Sequence, residues 1–169
     1  MGDILIIEDD MEFNCDFEHI SKANEFIAML QNRDWDVAML AGNYFNVQPL
    51  KCNRILLKII HAFCACAYLV NRNYRAKLIE ILAEAVSLLD TKAEQRYAID
   101  SYWTKFMPDG NWLGLYPCLG HQKADYSDIQ KYYVNYQHLF YKPLSKIQTD
   151  LYCPAGKQGC ISTCYYRGW

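Results

Sequence analysis

The chain has 169 residues, 52% hydrophobic and 21% charged, the composition of a folded domain rather than of a disordered segment or a membrane bundle. A formal net charge of −2 offers no basic surface to a phosphate backbone and argues against nucleic acid as a partner. No stretch approaches the roughly 20 apolar residues of a membrane span, and the apolar run at 3–7 is too short for a signal peptide, so a soluble protein, cytoplasmic by default, is expected.

In chain order, Asp3-Ile4-Leu5-Ile6-Ile7 is a continuous apolar run that stops at Glu8-Asp9-Asp10. It predicts a buried parallel strand with acids at its carboxyl end. Phe17, Ile20, Phe26, Ile27 and Leu30 recur at helical spacing, so a helix over 17–31 follows. A second buried strand over 35–43 ends in a turn at Gly42-Asn43. Residues 55–60 and 62–70 predict a third and a fourth strand, and Asn71 or Asn73 caps the next helix, which runs to about Leu89. Residues 98–103 open a helix or its approach loop, and 112–116 form a short strand stopped by Pro117. From Lys123 to Tyr141 the chain is polar and tyrosine-rich with no clean period, and 142–169 reads as an irregular tail containing Pro143, Pro154, Gly156, Gly159 and Gly168. Residues 1–141 are thus the domain and 142–169 its tail. Strands alternating with helices predict an α/β fold with a mostly parallel or mixed sheet flanked by helices, and ligands of such sheets bind beyond the carboxyl ends of the strands.

Three adjacent acids at a strand end repel one another in a partly shielded place. A hard divalent cation held by carboxylate oxygens relieves that repulsion. On extended chain Glu8 and Asp10 face the same way and Asp9 the other, so Glu8 and Asp10 are the candidate metal ligands. An acidic surface turn is the alternative. Asp100, between Ile99 and Ser101-Tyr102-Trp103, is either a helix cap or an acid held in a cleft. His121 follows a glycine turn and is either a ligand contact or an ordinary loop residue. His19, His61 and His138 show no partner pattern. The motifs of serine hydrolases, zincins, P-loop proteins and dinucleotide binders do not occur.

Eight cysteines stand at 15, 52, 64, 66, 118, 153, 160 and 164. The first five lie in apolar or strand-like surroundings and read as buried free thiols, with Cys64 and Cys66 on one face of a strand. Cys153, Cys160 and Cys164 form a C-terminal cluster without a nearby His, open to a metal, a disulfide or a disordered tail. The 14 tyrosines suit stacking on sugars or proteins, and equally a codon bias.

The order of motifs resembles glycosyltransferase family 25, which holds bacterial lipooligosaccharide (lipopolysaccharide) galactosyltransferases and animal collagen β-galactosyltransferases. The match runs over residues 3–130: the apolar strand into Glu8-Asp9-Asp10, Trp35 to Leu40, Ala67-Tyr68-Leu69-Val70-Asn71-Arg72, Ile99-Asp100, Pro117-Cys118-Leu119-Gly120-His121-Gln122, and Tyr126-Ser127-Asp128-Ile129. The resemblance implies a GT-A-like, partly Rossmann-like fold, a UDP-sugar donor (UDP-galactose), Mn²⁺, and a saccharide or collagen hydroxylysine acceptor. By resemblance Glu8, Asp9 and Asp10 serve metal and diphosphate, and Asp100 is the second important carboxylate, either base or metal-site acid. Tyr68 then lies by the donor and acceptor cleft, and His121 and Gln122 on a loop near the site.

Two departures from the family bear on activity. Family members carry a further nucleotide-binding portion before the strand that ends in the acids, which here starts within a few residues of Met1; a partner chain would have to supply it. Collagen-type members often continue with acids after the position of Asp100, where Ser101 and Tyr102 stand here. The expected function is a metal-assisted, inverting hexosyltransferase. The alternative is a truncated, inactive or partner-dependent fragment acting as a binding or structural module. A metal-dependent hydrolase would need further His or Asp ligands at suitable spacing.

Overall fold

The computed structural model describes residues 2–50, 55–127 and 131–149. Its centre is a long antiparallel hairpin, β3 (Val37–Pro49) and β4 (Leu56–Val70). Four register shifts along this pair bend it. Its two ends thereby reach the same short strand, β5 (Trp112–Leu115), which pairs in parallel with β3 at 37–39 and antiparallel with β4 at 56–58. Tyr44 lies buried inside the bend, its hydroxyl donating to the Leu115 carbonyl at 3.1 Å. Gly114 is required there, because a Cβ would meet the Tyr44 hydroxyl and Ile59.

β1 (Ile4–Ile7) closes one edge of this five-stranded mixed sheet and β9 (Gln148–Thr149) the other. The expected buried parallel strand is corrected on both counts: β1 runs antiparallel to β4 and lies at the edge, with Ile4 and Leu5 41% and 49% exposed. A continuous apolar run does not by itself distinguish a covered strand from an edge strand. Here α1 (Phe17–Leu30) packs over β5 and the middle of the sheet, leaving β1 bare. The strands expected at 55–60 and 62–70 are one strand, and β3 continues through Gly42-Asn43 without a turn.

Alternation along the strands sorts the core into two layers. Ala38 and Leu40 face α1 through Phe26 and Leu30. Val37, Met39 and Ala41 face α2 (Arg75–Lys92) through Leu78, Ile81 and Ala85, joined by Tyr102, Trp103 and Trp112. Helices thus cover both faces of a mixed α/β sheet. Neither Asn71 nor Asn73 caps α2; Tyr74 holds that position without a side-chain bond, and Asn71 instead accepts the Asn73 N–H in the preceding turn.

The short helix α3 (Ile99–Tyr102) continues as a 3-10 turn over Trp103–Phe106. Two ribbons complete the described chain: β2 (Met11–Phe13) with β6 (Gly120–Gln122), and β7 (Asp125–Ser127) with β8 (Tyr132–Val134), followed by α4 (Gln137–Phe140). The start of the expected tail packs on the sheet: Ile147 is buried, and β9 pairs with Asn46 and Val47. Cys52 and the cluster of Cys153, Cys160 and Cys164 fall outside the described residues, as do Asp128 and Ile129. Among the described residues no helix is long and apolar enough to cross a membrane.

Candidate metal centre

β1 delivers its acids to a place prepared by β4. Ile6 pairs with Tyr68, and the Glu8 N–H donates to the Cys66 carbonyl at 2.8 Å. The antiparallel register therefore carries Glu8 alongside Cys66, two residues beyond Tyr68 on the same face. After a turn the chain reverses into β2, and Asp10 comes back to the same spot. Ligand atoms of Glu8, Asp10 and Cys66 lie within 4.8 Å of one another. Asp9, exposed like Glu8, lies outside this group; the turn at residues 9–10, not the alternation of an extended strand, brings Asp10 back beside Glu8.

A displacement in β4 brings the third acid. Between Ala67 and Phe63 the strand carries two residues more than its partner β3, and within that bulge Cys64 takes a left-handed φ of 64°. The Cys64 N–H is freed from the ladder and donates to Asp100 Oδ2 at 3.4 Å. Asp100 therefore does not act as a helix cap. Ala98 occupies the N-cap of α3, and the Asp100 carboxylate, on the first turn, is held against the bulge.

The electrostatics agree with the geometry. Desolvation raises the Glu8 carboxyl above its ordinary value, the charges of Asp10, Asp100 and Asp9 push it further, and a bond from the Cys66 thiol pulls it back. Burial and the neighbouring Glu8 charge raise the Tyr68 phenol to about 12. Burial, then Asp100, Glu8 and Asp10, push the Cys64 thiol to about 12. Cys66 is pushed up strongly by burial and by Glu8, so it stands as a neutral S–H donor to Glu8. Negative charge is thus crowded here, which is the electrostatic condition a cation relieves.

Gln122 belongs to the same centre. Its Nε2 donates to Asp10 Oδ2 at 2.7 Å, while Asp10 Oδ1 is buried without a partner among the described residues. His121, its neighbour on β6, faces the other way. It is 7% exposed, its Nδ1 lies 2.8 Å from the Tyr141 hydroxyl, and its Nε2 lies 3.6 Å from Glu12. Asn14 Nδ2 donates to the same hydroxyl at 2.8 Å. His121 therefore braces the β2–β6 ribbon. Gly120 lets that ribbon close, since a Cβ there would run into the Glu12 carbonyl.

Tyr68 is buried and packs edge-to-face on Trp103, centroids 5.2 Å apart. The fold therefore gathers Glu8, Asp10, Asp100, Tyr68 and Gln122, and sets Asp9 and His121 aside. The sequence reading missed Cys64 and Cys66 as members of this centre. Their shared face was legible, but the register that slides Glu8 beside Cys66 was not. Of the other described cysteines, Cys118 is buried and free, whereas Cys15 is free but exposed, contrary to expectation.

The donor set suits a hard divalent cation. Two carboxylates converge within the span that opposite oxygens occupy across such an ion, roughly 4–5 Å, and Asp10 Oδ1 offers a lone pair that finds no partner among the described residues. The Cys66 thiol is the third candidate donor atom of the set. No family model matches the chain, and neither does a curated protein or a solved structure.

Proposed function

We propose that the chain is a GT-A-like, metal-assisted glycosyltransferase that moves a hexose, galactose by the resemblance, from a UDP-sugar to a saccharide or hydroxylysine hydroxyl. The observation that carries this reading is the convergence of Glu8 and Asp10, with the unused Asp10 Oδ1, beside a third carboxylate on another element. Glu8 and Asp10 would hold the cation, Mn²⁺ by resemblance. When bound, such an ion neutralises the charge that develops on a diphosphate leaving group.

The remaining residues divide the work. Gln122 fixes the Asp10 carboxylate through Oδ2 and leaves Oδ1 for the ion. Tyr68, wedged on Trp103, backs the acid centre rigidly. Asp100 is the base: the acceptor oxygen forms its bond to the anomeric carbon, the bond to the donor phosphate oxygen breaks, and the acceptor proton passes to the Asp100 carboxylate. Attack opposite the leaving group inverts the anomeric configuration, as with paired carboxylates in inverting glycosidases.

Calorimetry with Mn²⁺ and UDP tests the reading. Wild type binds UDP only with Mn²⁺, Asp10→Ala binds neither, and hydrolysis of UDP-galactose against UDP-glucose names the sugar. Absence of UDP binding to the folded wild type removes the reading of this chain as a transferase by itself.

The bare edge of β1 favours a second reading, a module that adds a strand from another polypeptide. The Glu8 N–H points to β4, so alternation directs the backbone groups of Leu5 and Ile7 outward, where among the described residues no strand meets them. On this reading the partner completes a site that the chain does not complete alone, and UDP binding appears only with the partner present.

A further inference from the structure

The two carboxylates of the centre suit a hard cation, but the third donor atom beside them is a sulfur. Cys66 is fully buried, and its Sγ lies with oxygens of Glu8 and Asp10 in a group whose members are within 4.8 Å of one another. The backbone fixes this meeting. Ile7 stands opposite Ala67, and the Glu8 N–H donates to the Cys66 carbonyl at 2.8 Å. The three donors run from the exposed Glu8 through the half-buried Asp10 to the buried Cys66. The sulfur is therefore the innermost of them.

The bulge in β4 sorts the two neighbouring thiols. Regular alternation would give Cys64 and Cys66 the same surroundings. The left-handed φ of 64° at Cys64 interrupts it, and the converging donors include Cys66 and not Cys64.

Donor chemistry then ranks the cations. Carboxylates alone favour Mg²⁺, Ca²⁺ or Mn²⁺, whereas a thiolate favours Zn²⁺ and ions like it. Zinc bonds of about 2.3 Å to sulfur and about 2.0–2.2 Å to oxygen fit donors that converge within this span. Three protein donors also leave one position of a tetrahedral ion open, as catalytic zinc sites do and structural ones do not. Asp10 Oδ1, buried and without a partner among the described residues, independently points to a ligand at this spot.

We infer that Cys66 is a thiolate ligand of the centre, with Glu8 and Asp10, and that it turns the centre toward a thiophilic divalent cation such as Zn²⁺ rather than Mn²⁺. On binding, the metal–sulfur bond forms and the thiol proton leaves to solvent. The inference rests on the reading of Glu8 and Asp10 as ligands and is independent of sugar transfer.

Cobalt reports the bond directly. The full-length chain is titrated with Co²⁺ after Cys52→Ser, Cys153→Ser, Cys160→Ser and Cys164→Ser remove the thiols outside the described residues as competitors. A sulfur-to-cobalt charge-transfer band appears in the near ultraviolet at one equivalent. Adding Cys66→Ser abolishes the band, while adding Cys64→Ser or Cys15→Ser keeps it. Most sites prefer Zn²⁺ to Mn²⁺, so the affinity ratio is compared between proteins rather than read alone. It narrows about tenfold or more in Cys66→Ser, a lost ligand costing no less than a lost outer partner. Zinc K-edge absorption on the background protein, with Cys66 intact, shows a sulfur at about 2.3 Å whether or not Cys66→Ser folds. A band that survives in Cys66→Ser or disappears in Cys64→Ser overturns the inference. An all-oxygen zinc shell overturns it too, while keeping Glu8 and Asp10 as ligands. No binding of Zn²⁺ or Co²⁺ to the folded chain overturns the sulfur ligand and the metal centre together. Mn²⁺-dependent UDP binding on the same samples reads the transferase proposal separately.

Discussion

Gln122 donates to one oxygen of Asp10 at 2.7 Å and leaves the other buried and, among the described residues, unpaired, although 112 positions separate the two residues. The carboxylate is thereby oriented rather than neutralised. Hydrogen bonds of this kind to metal ligands are worth about 10- to 100-fold in metal affinity. Gln122→Ala is expected to weaken Mn²⁺ binding by that amount while the protein stays folded, and Asp10→Ala to abolish it. Isothermal titration measures both, and an unchanged affinity in Gln122→Ala would show that Asp10 is not a ligand.

The raised Glu8 carboxyl makes stability depend on pH in a defined direction. Desolvation is the main cause and the Asp10 charge the next. Just above the ordinary value of 4.5 the folded state holds more protons at this site than the unfolded state does. Its contribution to stability therefore falls as pH rises through that window and levels off once both states are ionised. Glu8→Gln should flatten the slope. Denaturant titrations at successive pH values read it, and equal slopes in the two proteins would contradict the crowding of acids described here.

Under the transferase proposal Asp100 takes the acceptor proton and does not bind the donor. Asp100→Asn is expected to lower the transfer rate by about a hundredfold or more, with Mn²⁺-dependent UDP affinity little changed. A parallel loss of UDP affinity would instead make Asp100 part of the metal site. Single-turnover transfer and UDP titration on one sample distinguish the outcomes.

Two glycines test the packing that positions the centre. A Cβ on Gly114 would meet Ile59 and the Tyr44 hydroxyl inside the bend, so Gly114→Ala should cost about 1–3 kcal/mol of stability. Gly120→Ala would collide with the Glu12 backbone in the β2–β6 ribbon and so displace Gln122. It should weaken Mn²⁺ binding along with stability. Gly2→Ala, with nothing nearby, is the neutral control. Thermal melts with and without Mn²⁺ report all three.

Local pattern in the sequence reached some of this and not the rest. The apolar run into Glu8-Asp9-Asp10 announces a strand with acids at its end, and the helix over 17–30 follows from the spacing of Phe26 and Leu30. Strand alternation anticipates the pairing of Glu8 with Asp10, but the turn at residues 9–10 is what brings it about. The open edge of β1 does not, because burial depends on which strand the fold places next. The polar His61 suggests a break within 55–70, yet it stays inside the single strand β4. The left-handed φ at Cys64 has no signal either, since Gly or Asn normally holds that conformation. That one backbone angle gives Asp100 its partner, and without it the helix-cap reading was the reasonable one.

The centre is assembled from segments far apart in the chain: residues 8–10, the bulge at 64–66, Asp100 and Gln122. Contacts of such long sequence separation form late in folding, after the loops between them have closed. A chain in which β1 and β6 are undocked would not bring Glu8, Asp10 and Gln122 together. Ion binding would then act as a completion check, drawing the population toward the fully docked chain by mass action and leaving partly folded forms unassisted.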